Sequence, residues 1–239
     1  MITLALDTAT PRGALALLRD GELLDEQFFS RIGGEDLFTA LERLCLAQRV
    51  TPREVDLIGV GLGPGSFTGV RGGIAAAKGL ALPGRLPIVG VNSFDALALT
   101  ALPQLPAEVA ELCVFADARR EEICCAFYDR DGARRGDVQI RALESLADQL
   151  HDPVWFVSWE IDRYRGPLRE LFGGFAVLPA APVFPSATAI GRLARRQFHA
   201  GNQEGDTDLE PCYLRQTAYR TAASTSEPIQ PSLPKESPS

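Results

Sequence analysis

The segment with the most chemical potential runs Gly61-Leu-Gly63-Pro-Gly65-Ser66-Phe-Thr68-Gly69-Val-Arg71. It lies between an apolar run, Val55–Leu62, and a helix-length stretch reaching Leu82. A Gly-rich turn from strand to helix presents backbone N–H groups at a helix N-terminus, where anions bind. Ser66 and Thr68 add hydroxyls, and Arg71 adds a charge one turn in. The specific phosphate templates nevertheless fail. There is no Gly-Lys-Ser/Thr, Ser66 stands where a dinucleotide fingerprint needs Gly, and Pro64 removes the Gly-x-Ser-x-Gly elbow. A phosphate cradle and a purely structural turn are both compatible with this pattern. Asp7 and Thr10 end the first apolar run, and Asp117-Ala-Arg119 follows a later one. A carboxylate there either holds a metal–phosphate complex or closes a turn. His151 and His199 sit at helix ends, facing the dipole. No nucleophile has an identifiable base.

The elements that must position these groups follow from patterning. Ile2–Leu6 reads as a buried strand, and Ala14–Leu18 with Glu22–Phe29 as a hairpin about Asp20-Gly21. Glu35–Gln48 has helical periodicity with an apolar arc wider than one sheet contact needs, and Leu46 extends it. Leu86–Val91 is a strand and Ser93–Thr100 a helix. After a Pro-rich crossing at Leu102–Pro106, strands are expected at Leu112–Ala116, Glu121–Tyr128 and Gln139-Ile140, with a turn at Asp129–Gly132. A helix at Leu143–Leu150, a strand at Val154–Val157, a helix at Arg163–Phe172 and a short run Phe175–Leu178 follow. Ser186 caps a last helix through Ala200. This is an α/β chain whose two halves each begin with strands, although no internal repeat is visible.

The helix after the Gly-rich loop is unusual. Gly69, Gly72, Gly73 and Gly79 alternate with alanines, each Gly costing about 1 kcal/mol relative to Ala. Gly69, Gly73 and Ala77 form one smooth ridge; Gly72, Ala76 and Gly79 form its neighbour. Such ridges let another backbone approach, from this chain or from a partner.

Composition narrows the classes. In 239 residues, 24 basic and 31 acidic side chains give a net charge of −7, and the apolar fraction is 46%. That is a globular balance without a global field for polyanions. Any nucleic acid would therefore be gripped largely by a partner. Five scattered cysteines (Cys45, Cys113, Cys124, Cys125, Cys212) without Cys-x-x-Cys imply neither a disulfide framework nor a zinc site, and fit a reducing cytosol. No membrane span or signal peptide is expected, so the location read from the sequence is cytoplasmic. Thr221–Ser239, with four prolines and five serines, reads as a disordered tail.

Leu-Ala-Leu-Asp7-Thr-Ala-Thr10, Gly63-Pro-Gly-Ser-Phe-Thr-Gly-Val-Arg71, Gly79-Leu, Asp117-Ala-Arg119 and Pro211-x-Tyr213-Leu-Arg215 together resemble the TsaB (YeaZ) family over roughly residues 1–220. Its members belong to the bacterial machinery that makes threonylcarbamoyladenosine in tRNA. The resemblance implies an actin-like/Hsp70-like ATPase fold of two similar lobes with RNase H-like topology, mixed sheets and flanking helices. The front lobe would span 1–103 and the second 104–220, with helix 186–200 able to pack back on the front lobe, and a disordered tail over 221–239.

It further implies a non-catalytic subunit joined to the catalytic paralogue TsaD through front-lobe helices, with the ATPase TsaE docking on the pair. TsaC would supply the threonylcarbamoyl-adenylate. tRNA would be met through the complex, and ATP and Mg would act there, with no cofactor assigned to this chain. The paralogue's metal-binding histidines have no counterpart on Glu35–Gln48, so no metal is implied. Asp117-Ala-Arg also replaces the Asp-Gly-Gly of an actin-like ATP clamp. Although the family is sometimes labelled a glycoprotease, no protease site is visible. Arg31–Asp36 departs from the His-Ser found in many relatives. The implied interface residues are Leu37, Leu41, Leu44, Phe67, Val70, Gly73, Ile74 and Ala77, so Gly73→Leu is expected to disrupt pairing more than folding. Any nucleotide contact would use Asp7, Thr10, Gly65, Ser66, Thr68 and Asp117. The competing readings are an autonomous ATPase or kinase on those residues, and a self-associating peptidase or regulatory homodimer.

Overall fold

The computed structural model describes residues 1–30, 36–201, 209–212 and 214. The expectations for Arg31–Glu35, Tyr213, Arg215 and the tail over 221–239 lie outside those residues. The chain opens with β1 (Ile2–Asp7), β2 (Arg12–Arg19) and β3 (Glu22–Ser30), an antiparallel trio. Asp20 and Gly21 turn the hairpin at φ values of 52° and 90°, the positive values a two-residue hairpin turn requires. β4 (Leu57–Gly61) pairs parallel with β1, and β5 (Ile88–Val91) with β4, giving the order β3-β2-β1-β4-β5.

The second half repeats this order. β6 (Glu111–Arg119), β7 (Glu122–Asp129) and β8 (Arg134–Ala142) are antiparallel, while β9 (Val154–Val157) and β10 (Ala176–Val177) continue in parallel beyond β6. The sheet therefore reads β10-β9-β6-β7-β8. The duplication lies in topology, which needs only the same pattern of strands and crossovers.

Among the described residues five α-helices cover the sheets: α1 (Leu37–Gln48), α2 (Phe67–Ala81), α3 (Ser93–Ala101), α4 (Ile161–Phe172) and α5 (Ala187–His199). Period-two alternation in β1 sends Leu4 and Leu6 toward α1 and α2, and Ala5 toward α5. Thus α5, late in the sequence, packs on the first sheet. The approach is close: a Cβ on Gly191 would lie 2.5 Å from Leu18 Cδ1. The second sheet meets α3 through Phe94, Leu97 and Tyr128, and α4 through Phe115, Phe156 and Leu168. Side chains cap the helices where the sequence places short polar residues. Asp36 accepts from Thr39 N–H at 2.8 Å, Asn92 from Phe94 N–H at 2.9 Å, and Ser186 from Ala189 N–H at 3.4 Å.

Two elements differ from expectation. Leu143–Gln149 is a 3₁₀ run rather than an α-helix. Its buried leucines, Leu143 and Leu146, are three apart, the spacing that eclipses in a 3₁₀ helix. β8 extends well beyond Gln139-Ile140. It is a sheet-edge strand with mostly exposed side chains, so no apolar run announces it. Among the described residues no helix is long and apolar enough to cross a membrane.

Candidate functional site

Two concave regions border the Gly-rich loop. The first is an interlobe cleft of about 620 Å³, lined on one side by Gly65, Ser66 and Thr68 and on the other by Asp117, Trp159 and Glu160. Asp7 and Thr10 do not line it. Asp7 is buried; its Oδ2 accepts the Ser93 hydroxyl at 2.5 Å and its Oδ1 accepts Ala9 N–H at 2.9 Å. Gly63 N–H donates to the same Ser93 hydroxyl at 3.1 Å, so Asp7 anchors the loop through Ser93. Thr10 is fully buried and donates to the Arg12 carbonyl at 2.7 Å.

The loop's own donors are also engaged. Ser66 N–H donates to the Ala9 carbonyl at 2.7 Å, and Gly69 N–H to Ser66 Oγ at 3.2 Å. Gly65 must be glycine because a Cβ there would lie 2.3 Å from the Ala9 oxygen. The Gly63, Ser66 and Gly69 amides thus hold the loop and cap α2. Cys212 N–H closes the far side on the Leu62 carbonyl at 2.8 Å.

On the second-lobe wall, the Asp117 amide donates to Glu160 Oε2 at 2.9 Å, and its carboxylate pairs with Arg163 and takes the Arg119 amide at 2.8 Å. Burial by itself would raise the Asp117 carboxyl. The Arg119 amide and the Arg163 guanidinium outweigh it and hold the group below the ordinary carboxylate value. The two thiols lining the cleft are not activated: burial pushes Cys124 up to about 12 and raises Cys212 as well.

The second region is a groove of about 660 Å³ between α1 and α2, whose lining includes Leu37, Phe38, Thr68, Gly72, Ala75 and Gly79. The interface residues inferred from sequence divide here. Leu41, Leu44, Val70, Ile74 and Ala77 are buried in the front-lobe core against β1 and β4, so these side chains are not the ones presented at the surface. Phe67 is 49% exposed, and Leu37 is half-buried on the groove wall. The exposed large apolar side chains of this region are Phe38 on the groove wall, 59% exposed, Leu46 and Leu82, 71% and 74% exposed, and Phe67, over which the Arg71 guanidinium sits at 3.9 Å.

Gly73 also requires correction. A Cβ there would lie 2.3 Å from Thr8 Oγ1, so a larger residue strikes the protein's own first lobe before any partner. Gly72 and Gly79 are the open positions, since a Cβ on either would have nothing within 4 Å. Of the two smooth ridges, Gly69, Gly73 and Ala77 face inward while Gly72 and Gly79 face out. Sequence reasoning missed Ser93 and Glu160. Ser93 follows the α3 cap Asn92, a position that signals a helix start but not a long-range bond to Asp7.

Twin five-stranded sheets of the same strand order, with an interlobe cleft and a last helix packed back on the first sheet, define the actin-like class of protein. The activator of the 2-hydroxyisocaproyl-CoA dehydratase from Clostridium difficile shares that fold at a TM-score of 0.50 and 10% identity, over 84% of this chain and 97% of its own. Residues 30–163 match the family described as TsaD: tRNA N6-adenosine threonylcarbamoyltransferase. The tRNA threonylcarbamoyladenosine biosynthesis protein TsaB of Escherichia coli (strain K12) is 34% identical, over 90% of this chain and 95% of its own length. YeaZ from Pseudomonas aeruginosa superposes with a TM-score of 0.75 at 26% identity, over 89% and 99%. The chain belongs to the TsaB (YeaZ) family.

Proposed function

We propose that the chain serves tRNA threonylcarbamoyladenosine biosynthesis as a non-catalytic scaffold subunit. It pairs through the α1–α2 groove with a TsaD-like catalytic paralogue, and a TsaE-like ATPase docks on the pair. The observation that supports this best is the outer face of α2. Gly72 and Gly79 each weaken the helix by about 1 kcal/mol, yet no described residue of this chain requires glycine at either position. A second helix laid into the groove would require it, because small residues set close interaxial distances. Phe38 on the groove wall is exposed, and Phe67, Leu46 and Leu82 add exposed apolar area on and beside the same two helices.

The engagement of Asp7, the loop amides and Asp117 within the chain supports placing ATP and Mg elsewhere in the complex, with tRNA reached through it in the cytoplasm. The names of the relatives, matched nearly end to end, support the pathway. Light scattering after size exclusion, with the TsaD-like paralogue of the same genome, tests the pairing. A heteromer is expected that Gly72→Leu and Gly79→Leu weaken at least tenfold while leaving the chain folded. Separate peaks with and without ATP and the TsaE-like ATPase would overturn it. The cleft lined by Ser66, Thr68 and Asp117 favours a second reading, an autonomous ATPase, for which turnover by the isolated chain lost in Asp7→Ala is the sign. A homodimer through the same groove would show as a doubled mass of the isolated chain at micromolar concentration.

A further inference from the structure

Where the α1–α2 groove meets the interlobe cleft, Pro11, Arg12, Phe28, Phe29, Ser30 and Phe184 line a separate cavity of about 360 Å³. It shares Phe29 and Ser30 with the groove and Pro11 with the cleft. Strand register builds it. Gly13 opposes Phe29 across β2 and β3, and the Phe29 ring fills the space where a Gly13 side chain would stand, turned into the core. The next residue in alternation, Phe28, is therefore turned out, 40% exposed, with Arg12 diagonal to it on the same face.

The Arg12 guanidinium carbon sits 3.7 Å from the Phe28 ring centroid and 5.4 Å from that of Phe184, on the segment leading into α5. Arg134, Arg135, Arg163 and Arg165 each pair with a carboxylate. Among the described residues Arg12 pairs with none, and no acidic side chain lines this cavity. An exposed cation thus sits against two rings, with its donor fork uncommitted among the described residues, on a chain of net charge −7.

We propose that this corner binds one unpaired nucleotide of the tRNA. The Arg12 fork takes the phosphate, and the base stacks on the ring surface that Phe28 and Phe184 present. Guanidinium forks suit phosphate geometry, and aromatic rings stack unpaired bases without sequence preference. The pairing of an uncompensated cation with two adjacent aromatic rings favours RNA over a protein segment, since a nucleotide brings an anion and a flat base in one unit. The tRNA as ligand source rests on the function proposed above; the site itself does not.

The test is ultraviolet crosslinking of an unmodified tRNA transcript to the full chain, alone and mixed with the TsaD-like paralogue, with peptide mapping by mass spectrometry. Equilibrium tRNA binding across a salt series accompanies it. Crosslinks are expected on the peptides carrying Phe28 and Phe184. Arg12→Ala should remove them, weaken tRNA binding about fivefold or more, and flatten the salt slope by roughly 0.7–0.9, one phosphate contact. Phe184→Leu should weaken binding without changing that slope, and Arg12→Lys should restore the slope but not the crosslink. Equal crosslinking by free AMP and tRNA at matched concentration would assign the site to a mononucleotide and overturn the tRNA assignment. No crosslink in either sample would overturn the site. So would an Arg12→Ala chain that loses heteromer mass while its own tRNA binding and crosslinks stay at the wild-type level, which would mark a protein contact. If the wild-type chain forms no heteromer but crosslinks alone, the pairing fails and this site stands.

Discussion

Replacing adjacent glycines of α2 by alanine should move stability in opposite directions. At Gly72 an added methyl meets nothing within 4 Å, so the helix gains its propensity term, about 1 kcal/mol. At Gly73 the same gain applies, but the methyl would stand 2.3 Å from Thr8 Oγ1 and 3.6 Å from Leu6 Cδ1. Thr8 is 5% exposed, branched at Cβ, and donates its hydroxyl to the Gly69 carbonyl at 2.7 Å, so rotating it away breaks a buried hydrogen bond. Overpacking costs about 1–3 kcal/mol and the lost bond about 1 kcal/mol. After subtracting the propensity gain, Gly73→Ala is expected to lose about 1–3 kcal/mol. For a chain of this size about 2–4 °C corresponds to 1 kcal/mol, so the two variants, about 2–4 kcal/mol apart, should melt roughly 4–16 °C apart. Thermal unfolding followed by circular dichroism, with two-state behaviour checked by a second probe, measures this. A Gly73→Ala chain melting at or above Gly72→Ala would refute the inward placement of the Gly69–Gly73–Ala77 ridge.

Three further outcomes are expected. Ser93→Ala removes the hydroxyl that buried Asp7 accepts and that takes the Gly63 amide, and should cost about 1–3 kcal/mol by urea denaturation. Glu26→Ala removes the carboxylate that takes the Ser186 hydroxyl at 2.8 Å and the Thr188 amide at 3.1 Å at the start of α5, and should cost about 1–2 kcal/mol in the same assay. Because the Asp117 carboxyl is held below its ordinary value, its contribution to stability is present above that value, about 4, and is lost as pH falls through the lower folded one. Arg163→Ala should raise the Asp117 titration toward the ordinary range, read by carboxyl carbon NMR; an unmoved titration would place the cause elsewhere.

Local signals in the sequence were sufficient for most of the architecture. Asp20-Gly21 marks its hairpin because only certain residues accept positive φ in a tight turn. Ser66, Asn92 and Ser186 mark helix starts through bonds that close within three residues. The Gly63–Arg71 string is the most specific of the motifs that together carry the family resemblance. Where the signal was weak, the cause was exposure or spacing: β8 is a polar edge strand, and the leucines of Leu143–Gln149 fall at a 3₁₀ interval.

Amino-acid order alone thus determined an α/β chain of two similar halves, the Gly-rich loop at a helix start, and two front-lobe helices with more apolar and smooth surface than one sheet contact uses. Only the tertiary structure decided which side of each helix faces outward. Periodicity gives the width of an apolar arc but not its direction, and here the inner residues Leu41, Leu44, Val70, Ile74 and Ala77 fill the core while Phe38, Leu46, Phe67, Gly72 and Gly79 are left outside. The same holds for Asp7. Its type and position left a metal–phosphate ligand and a turn residue both open, and neither pointed to the bond it accepts from Ser93, 86 residues away. A carboxylate's role depends on which donors the folded chain brings within hydrogen-bond reach, and that distance is set by packing rather than by sequence separation.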